Sequence, residues 1–156
     1  MYNHIKEIVA DSEKTGKPIS ELIIEQECKM SGQPREKIWN RMKYNLETMR
    51  EAVKKGRTGN GVYSSTGLTG GEAVKIKKYR EKGHTLSGDT IMSAVQNAVA
   101  TNEVNAAMGV ICATPTAGSS GTLPGVLFML EKRLNLTEEQ MIRFHFYCGR
   151  LWHGDC

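Results

Sequence analysis

The chain has 156 residues, 39% of them apolar and 6% aromatic, and carries a formal charge of +4 at pH 7. That length makes one domain the default, with a core of Ile, Leu, Val, Met and Ala that buries about two-thirds of the surface an unfolded chain exposes. The charge is mildly basic and is not a nucleic-acid signature: most basic residues alternate with acids, as in "REKIWNRMKYNLETMREAVKK", and the densest basic cluster, Lys75 to Lys82, is short.

In chain order, Met1, Ile5, Ile8 and Val9 give one face of a short amphipathic helix, which "GKP" (Gly16 to Pro18) breaks. "ISELIIEQECKM" is a second helix, with Ser20 near its start and Ser31 or Gly32 at its end. Pro34 suits the first turn of a third. That helix runs to about Lys55, because Ile38, Met42, Leu46, Met49 and Val53 step by four, four, three and four. Gly56 to Gly71 then holds six Gly in sixteen residues and reads as a long loop, a kind that in compact domains is functional or disordered. "EAVKIKKYREKG" resumes helix and stops at Gly83. "LSGDTIMSAVQNAVATNEVNAAMGVICA" has apolar positions almost all round and reads as a buried helix, with Ala94, Ala98, Ala100, Ala106, Ala107 and Gly109 permitting close neighbours. "CATPTAGSSGTLPG", Cys112 to Gly125, breaks the pattern with three Gly, two Pro, three Thr and two Ser. "GVLFMLEKRLNL" and "TEEQMIRFHF" are two further helices, the second opened by the capping box Thr137 to Gln140. Strand signals are few, and the fold class is all-α.

No apolar run approaches the roughly 20 residues of a membrane span. The N-terminus lacks a secretory pattern, so the expected compartment is cytoplasmic. Cys28, Cys112, Cys148 and Cys156 are widely spaced and form no CxxC, which favours free thiols or metal ligands over disulfides. "GNGVYS" lacks the last Gly of a dinucleotide fingerprint, and neither Gly-rich loop has P-loop spacing or a βαβ context. Two such loops, rich in Ser and Thr hydroxyls, instead suit a small anion held by backbone N–H groups at a helix N-terminus. Asn102, Glu103 and Asn105 lie within the apolar helix, where a carboxylate must be paired or hydrogen-bonded; a satisfied structural network is their plainer reading. Cys112 alone behaves as a small buried hydrophobe. His84, near a helix end, reads as a surface residue.

At "SSTGLTGGEAVK" and "ATNEVNAAMGVICATPTAGSSGTLPGV", in that order, the chain resembles the alpha chain of the bacterial two-chain, iron–sulfur-dependent L-serine dehydratase (L-serine ammonia-lyase). The likeness runs from about Tyr2 to Phe146. It implies a helical catalytic domain whose two Gly/Ser/Thr-rich loops lie close together about one substrate, L-serine. It also implies a [4Fe-4S] cluster held by three cysteines, with one open iron acting as Lewis acid on the serine hydroxyl, and a beta-chain partner. By this resemblance Cys112 is a cluster ligand. Ser64, Ser65, Thr66 and Gly67, with Thr114, Pro115, Thr116, Ala117 and Gly118, form the walls that hold the substrate carboxylate. In single-chain relatives the ligand cysteine sits deeper in this motif, at the place of Ser120. A different class of reading, a non-enzymatic helical module for a small carboxylate or a partner chain, uses the same loops.

The family continues for roughly as much chain again and carries its other cluster cysteines there, so the C-terminal half of the catalytic domain is expected to be missing and the chain by itself inactive. The last ten residues, "YCGRLWHGDC", do not fit the family. Cys148, His153 and Cys156 match no complete zinc set. Back-translated and read one base later, they can spell "TAGAFGMVI", the family's own continuation. Residues 1–146 are therefore expected to be family sequence and 147–156 an out-of-frame tail, lying on the surface as a frayed helix end.

Overall fold

The structure, a computed structural model, describes residue 2, residues 4–114, residue 116 and residues 118–151, the side chains of 150 and 151 aside. Among the described residues the helices are α1 (Ile5–Thr15), α2 (Ile19–Ser31), α3 (Arg35–Arg57), α4 (Glu72–Arg80), α5 (Gly88–Ala106), α6 (Ser119–Leu134) and α7 (Glu138–Leu151). The class is all-α. Among the described residues the one departure is an isolated antiparallel bridge, Tyr63 to Gly70. No described helix is long and apolar enough to cross a membrane.

The chain divides into two compact units, Met1–Leu46 with Thr137–Cys156, and Glu47–Leu136. In the first, α1 and α2 each stop on a glycine in the left-handed region, Gly16 at φ 68° and Gly32 at φ 64°. Their N–H groups return to Ser12 and Cys28 carbonyls, so two orphan helix-end acceptors are satisfied. Thr137 and Gln140 cap α7 reciprocally, at 2.9 and 3.3 Å, as the sequence predicts. The core of this unit is Ile8, Leu22, Ile24, Leu46, Met141, Ile142 and Phe146. Arg143 ties α7 to α2 through Ser20 Oγ at 3.2 Å and Glu21 Oε2 at 3.4 Å. Arg35 also grips Glu21, with two hydrogen bonds of 3.1 and 2.9 Å, and both arginines lie over the Trp39 ring. The Glu21 carboxyl is held below the ordinary range, first by its hydrogen bonds from Arg35. From Tyr147 the helix continues to Leu151 with Tyr147, Cys148 and Gly149 half-buried. Residues 152–156 lie outside the described set.

The second unit is built on α5. Met49, Ala52, Val53, Ala73, Ala100, Val104, Leu127 and Phe128 fill its core. Three glycines set how closely backbones approach. A Cβ on Gly56 would stand 2.4 Å from the Ala100 carbonyl oxygen, one on Gly125 2.8 Å from that of Ala94, and one on Gly121 3.0 Å from that of Ala98. The α5 helix thus takes α3 on one side and α6 on another at separations that only glycine allows.

Two expectations change here. The stretch Cys112 to Gly125 is not wholly a loop, because α6 begins at Ser119 and carries Pro124 inside it. The Thr116 hydroxyl receives the first N–H of the helix, that of Ser119, and close packing on Ala94 and Ala98 offsets the poor helix propensity of Gly and Pro. The α5 helix is also not wholly apolar on its buried side, where polar residues stand beside Ala100 and Val104. Ser93, Gln96, Asn97, Thr101 and Glu103 are buried, while Ile91 is 57% exposed. Its buried polar groups meet Arg57 of α3, Arg80 and the Glu72 and Ala73 N–H groups of α4, and the Gly125 carbonyl of α6, to which Asn97 donates.

Candidate active site

Every described residue assigned to the site lies in the second unit. The Gly-rich segment after α3 is an ordered turn. Ser64 N–H donates to the Thr69 carbonyl at 2.9 Å, Gly67 N–H to the Ser64 carbonyl at 3.0 Å, and Gly71 N–H to the Val62 carbonyl at 3.2 Å. Gly70, at φ 142°, packs where a Cβ would sit 2.4 Å from the Val62 oxygen, so this tight return requires glycine. The Ser64 and Thr66 hydroxyls meet at 3.2 Å. Ser65, Thr66 and Gly67 are exposed at the tip, and Ser64 is half-buried.

The second loop is also organised by its own hydroxyls. Ser119 Oγ lies 2.7 Å from Thr114 Oγ1, accepts from Thr116 N–H at 3.1 Å, and donates to the Thr116 carbonyl at 2.8 Å. Ser119 N–H in turn donates to Thr116 Oγ1 at 3.2 Å. This reciprocal pattern satisfies the first orphan N–H of α6, that of Ser119. Thr116 and Gly118 are exposed and Thr114 half-buried. Pro115 and Ala117 lie outside the described residues. Cys112, just before this loop, is 8% exposed, with its thiol 3.4 Å from the Ala113 carbonyl. Burial raises its pKa above the ordinary thiol value.

The exits of the two loops meet consecutive residues of α5. Asn102 faces Gly121, at the first turn of α6. Glu103, 4% exposed, reaches the start of α4, where its Oε1 accepts the N–H groups of Glu72 at 2.5 Å and Ala73 at 3.2 Å. Glu103 is the satisfied carboxyl that its place in an apolar helix calls for, and it caps a helix 31 residues earlier in the chain. Its second oxygen is buried and finds no hydrogen-bond partner among the described residues. Burial first, and the nearby Glu72 carboxyl second, hold the Glu103 pKa up at about 7. Those two effects outweigh its backbone hydrogen bonds, which pull the other way. Glu72 is drawn below the ordinary range, first by hydrogen bonding with Glu103.

Two further contacts escape sequence reasoning. Arg57 donates to Asn97 Oδ1 at 2.9 Å and Arg80 to Gln96 Oε1 at 2.5 Å, so neighbouring amides of α5 receive guanidiniums from two helices. The adjacent amides Gln96 and Asn97 inside an otherwise apolar helix were the available signal.

The second unit by itself does not supply three thiolates. No three His, Cys, Asp or Glu side chains gather to hold a metal among the described residues, and Cys112 is the one cysteine of its unit.

The family described as "Serine dehydratase alpha chain" matches residues 14–151. The chain is 50% identical over 149 residues to a Bacillus subtilis protein named "Probable L-serine dehydratase, alpha chain", covering 96% of this chain and 49% of that one. It is 33% identical over 135 residues to the "L-serine dehydratase, alpha chain" of Peptoniphilus asaccharolyticus, covering 86% and 46%. A Latilactobacillus sakei protein named "Probable L-serine dehydratase, alpha chain" is 64% identical over 58 residues, 37% of this chain and 28% of that one. No solved structure matches. The chain spans about half the length of the longer-matching relatives. Matched from the end of α1 to the end of α7, with both hydroxyl-rich loops inside the matched span, the chain belongs to the serine dehydratase alpha-chain family.

Proposed function

We propose that this chain supplies the substrate-carboxylate side of an L-serine dehydratase site and is inactive by itself. The observation that supports this most is the attachment of both loops to Asn102 and Glu103 of α5, within a span that matches the family from residue 14 to 151. The reaction removes the α-proton and β-hydroxyl of L-serine as water, leaving 2-aminoacrylate. That product tautomerises to an imine, and water releases pyruvate and ammonia. On this reading, N–H groups and hydroxyls of Ser64 to Gly67 and of Thr114 to Gly118 hold the serine carboxylate, as short Gly/Ser/Thr loops do for anions. Cys112 is the one thiol this chain brings to the family's iron–sulfur cluster. The remaining ligands come from sequence corresponding to the rest of the longer relatives, and a beta chain completes the enzyme.

The test is pyruvate formation from L-serine under anaerobic conditions. The chain alone is assayed beside a version extended to the relatives' length and co-expressed with a beta chain. Pyruvate from the extended pair and none from the chain alone is the expected result. Turnover by the chain alone overturns the partial-site reading, and silence of a correctly reconstituted pair overturns the activity.

A further inference from the structure

A cleft of about 390 Å³ opens between α3, α4 and α6 in the second unit. Its charged lining is Arg50, Lys54, Arg57, Lys77 and Lys132 against the single carboxylate Glu131. It shares no residue with the Ser64–Gly67 turn or the Cys112 loop.

The one carboxylate is already engaged. Arg50 holds both Glu131 oxygens, at 2.9 and 2.8 Å, while lying 4.9 Å over the Phe128 ring. Among the described residues Lys54 and Lys77 pair with their helix neighbours Glu51 and Glu81, each at 3.9 Å, and such exposed pairs contribute little. Arg57 is the decisive residue. It is half-buried, and the acceptor it finds is the neutral amide oxygen of Asn97. Burial first, and the charge of Arg80 second, push its pKa down. Arg80 is itself bound to Asp89 by two hydrogen bonds of 2.8 and 2.9 Å, so that carboxylate is taken as well. A desolvated cation beside a second cation, with no carboxylate of its own among the described residues, is costly. It stands in a cavity of ligand size.

We propose that this cleft binds a compact multivalent anion, a phosphoester or a di- or tricarboxylate. The half-buried Arg57 fork grips it, and the exposed Lys54, Lys77 and Lys132 draw it in. Arginine matches both oxyanion geometries, and the lysines add charge without fixing direction. Asn97 also donates to the Gly125 carbonyl at 3.4 Å, so a filled cleft bears on the α5–α6 seam and stabilises this unit by mass action.

The test is calorimetric titration of the full 156-residue chain with pyrophosphate and, separately, with citrate, ionic strength being held constant with sodium chloride. Saturable binding of at least one is expected, and the tighter of the two identifies the phosphate or carboxylate class. The double variant Lys54→Gln/Lys77→Gln, altered at exposed positions only, is expected to bind about tenfold more weakly with an unchanged Tm in chloride. Arg57→Gln is expected to abolish binding. Heats no larger than those of the chloride control, or a double variant that binds like the parent, overturn the proposal.

Discussion

Glu103 shows how one side chain links a sequence oddity to the placement of a loop. A carboxyl in an apolar helix has to be answered, and α4 answers it with two N–H groups at its N-terminus. Replacement by Ala leaves both buried donors bare, which costs about 3 kcal/mol at the usual 1–3 kcal/mol for each orphaned group. Replacement by Gln keeps an acceptor oxygen and removes the titration. The folded-state pKa, about 7, lies above the ordinary carboxyl value of 4.5. The folded chain therefore holds a proton that the unfolded chain releases between those values. This contribution to stability is complete below about pH 4.5 and is lost as pH rises through about 7. The parent is expected to lose on the order of 2 kcal/mol relative to Glu103→Gln between pH 5 and pH 8. Parallel denaturant titrations at the two pH values measure that difference, and equal slopes for the two proteins would remove Glu103 as its source.

At the scale of elements, periodicity made most of the helices legible. Leu46, Met49 and Val53 fall on one stripe and are buried, Gly16 and Gly32 end their helices, and Thr137 with Gln140 opens α7. The start of α6 was not legible. Composition argues for a loop through Gly125, and the decision for helix comes from the Thr116 hydroxyl on the Ser119 N–H and from contact with Ala94 and Ala98, partners more than twenty residues away. The same holds for the site. The hydroxyl-rich loops were visible as composition, and Glu103 was visible as a carboxyl needing partners. Its partner helix and the arginines on Asn97 and Gln96 are tertiary facts that no local pattern encodes. Close approach is testable through glycine. Gly56→Ala puts a methyl 2.4 Å from the Ala100 oxygen, backbone against backbone, and is expected to cost about 2 kcal/mol. Gly118→Ala meets nothing within 4 Å at an ordinary helical φ of −69°, and is expected to be neutral or slightly stabilising. Urea midpoints of the two variants check the contrast, and a neutral Gly56→Ala would mean that α3 and α5 separate freely.

At the scale of the whole molecule, each unit contains a buried group whose pKa moves across the range between pH 4 and 7, and the two act in opposite directions. His145, in the first unit, is buried with Nδ1 unpartnered among the described residues, and burial lowers its pKa to about 4. The unfolded chain binds a proton at ordinary histidine values that the folded chain refuses. The stability from neutral His145 is thus complete above about pH 6.5 and is lost as pH falls through about 4. Glu103, in the second unit, has the opposite dependence. Changing pH from 8 to 5 should therefore weaken the first unit and strengthen the second. Hydrogen exchange reads each unit separately, once rates are corrected for the intrinsic pH dependence of the chemistry. Amides of Glu72 and Ala73, which donate to Glu103, should gain protection at pH 5, while those around Met141 and Ile142 in α7 should lose it. His145→Phe should remove the acid-side loss in the first unit and leave the second unchanged, since it replaces a buried imidazole with an apolar ring. If both units shifted together in the parent, they would be opening as one cooperative body. The opposed titrations would then cancel within a single stability instead of dividing it.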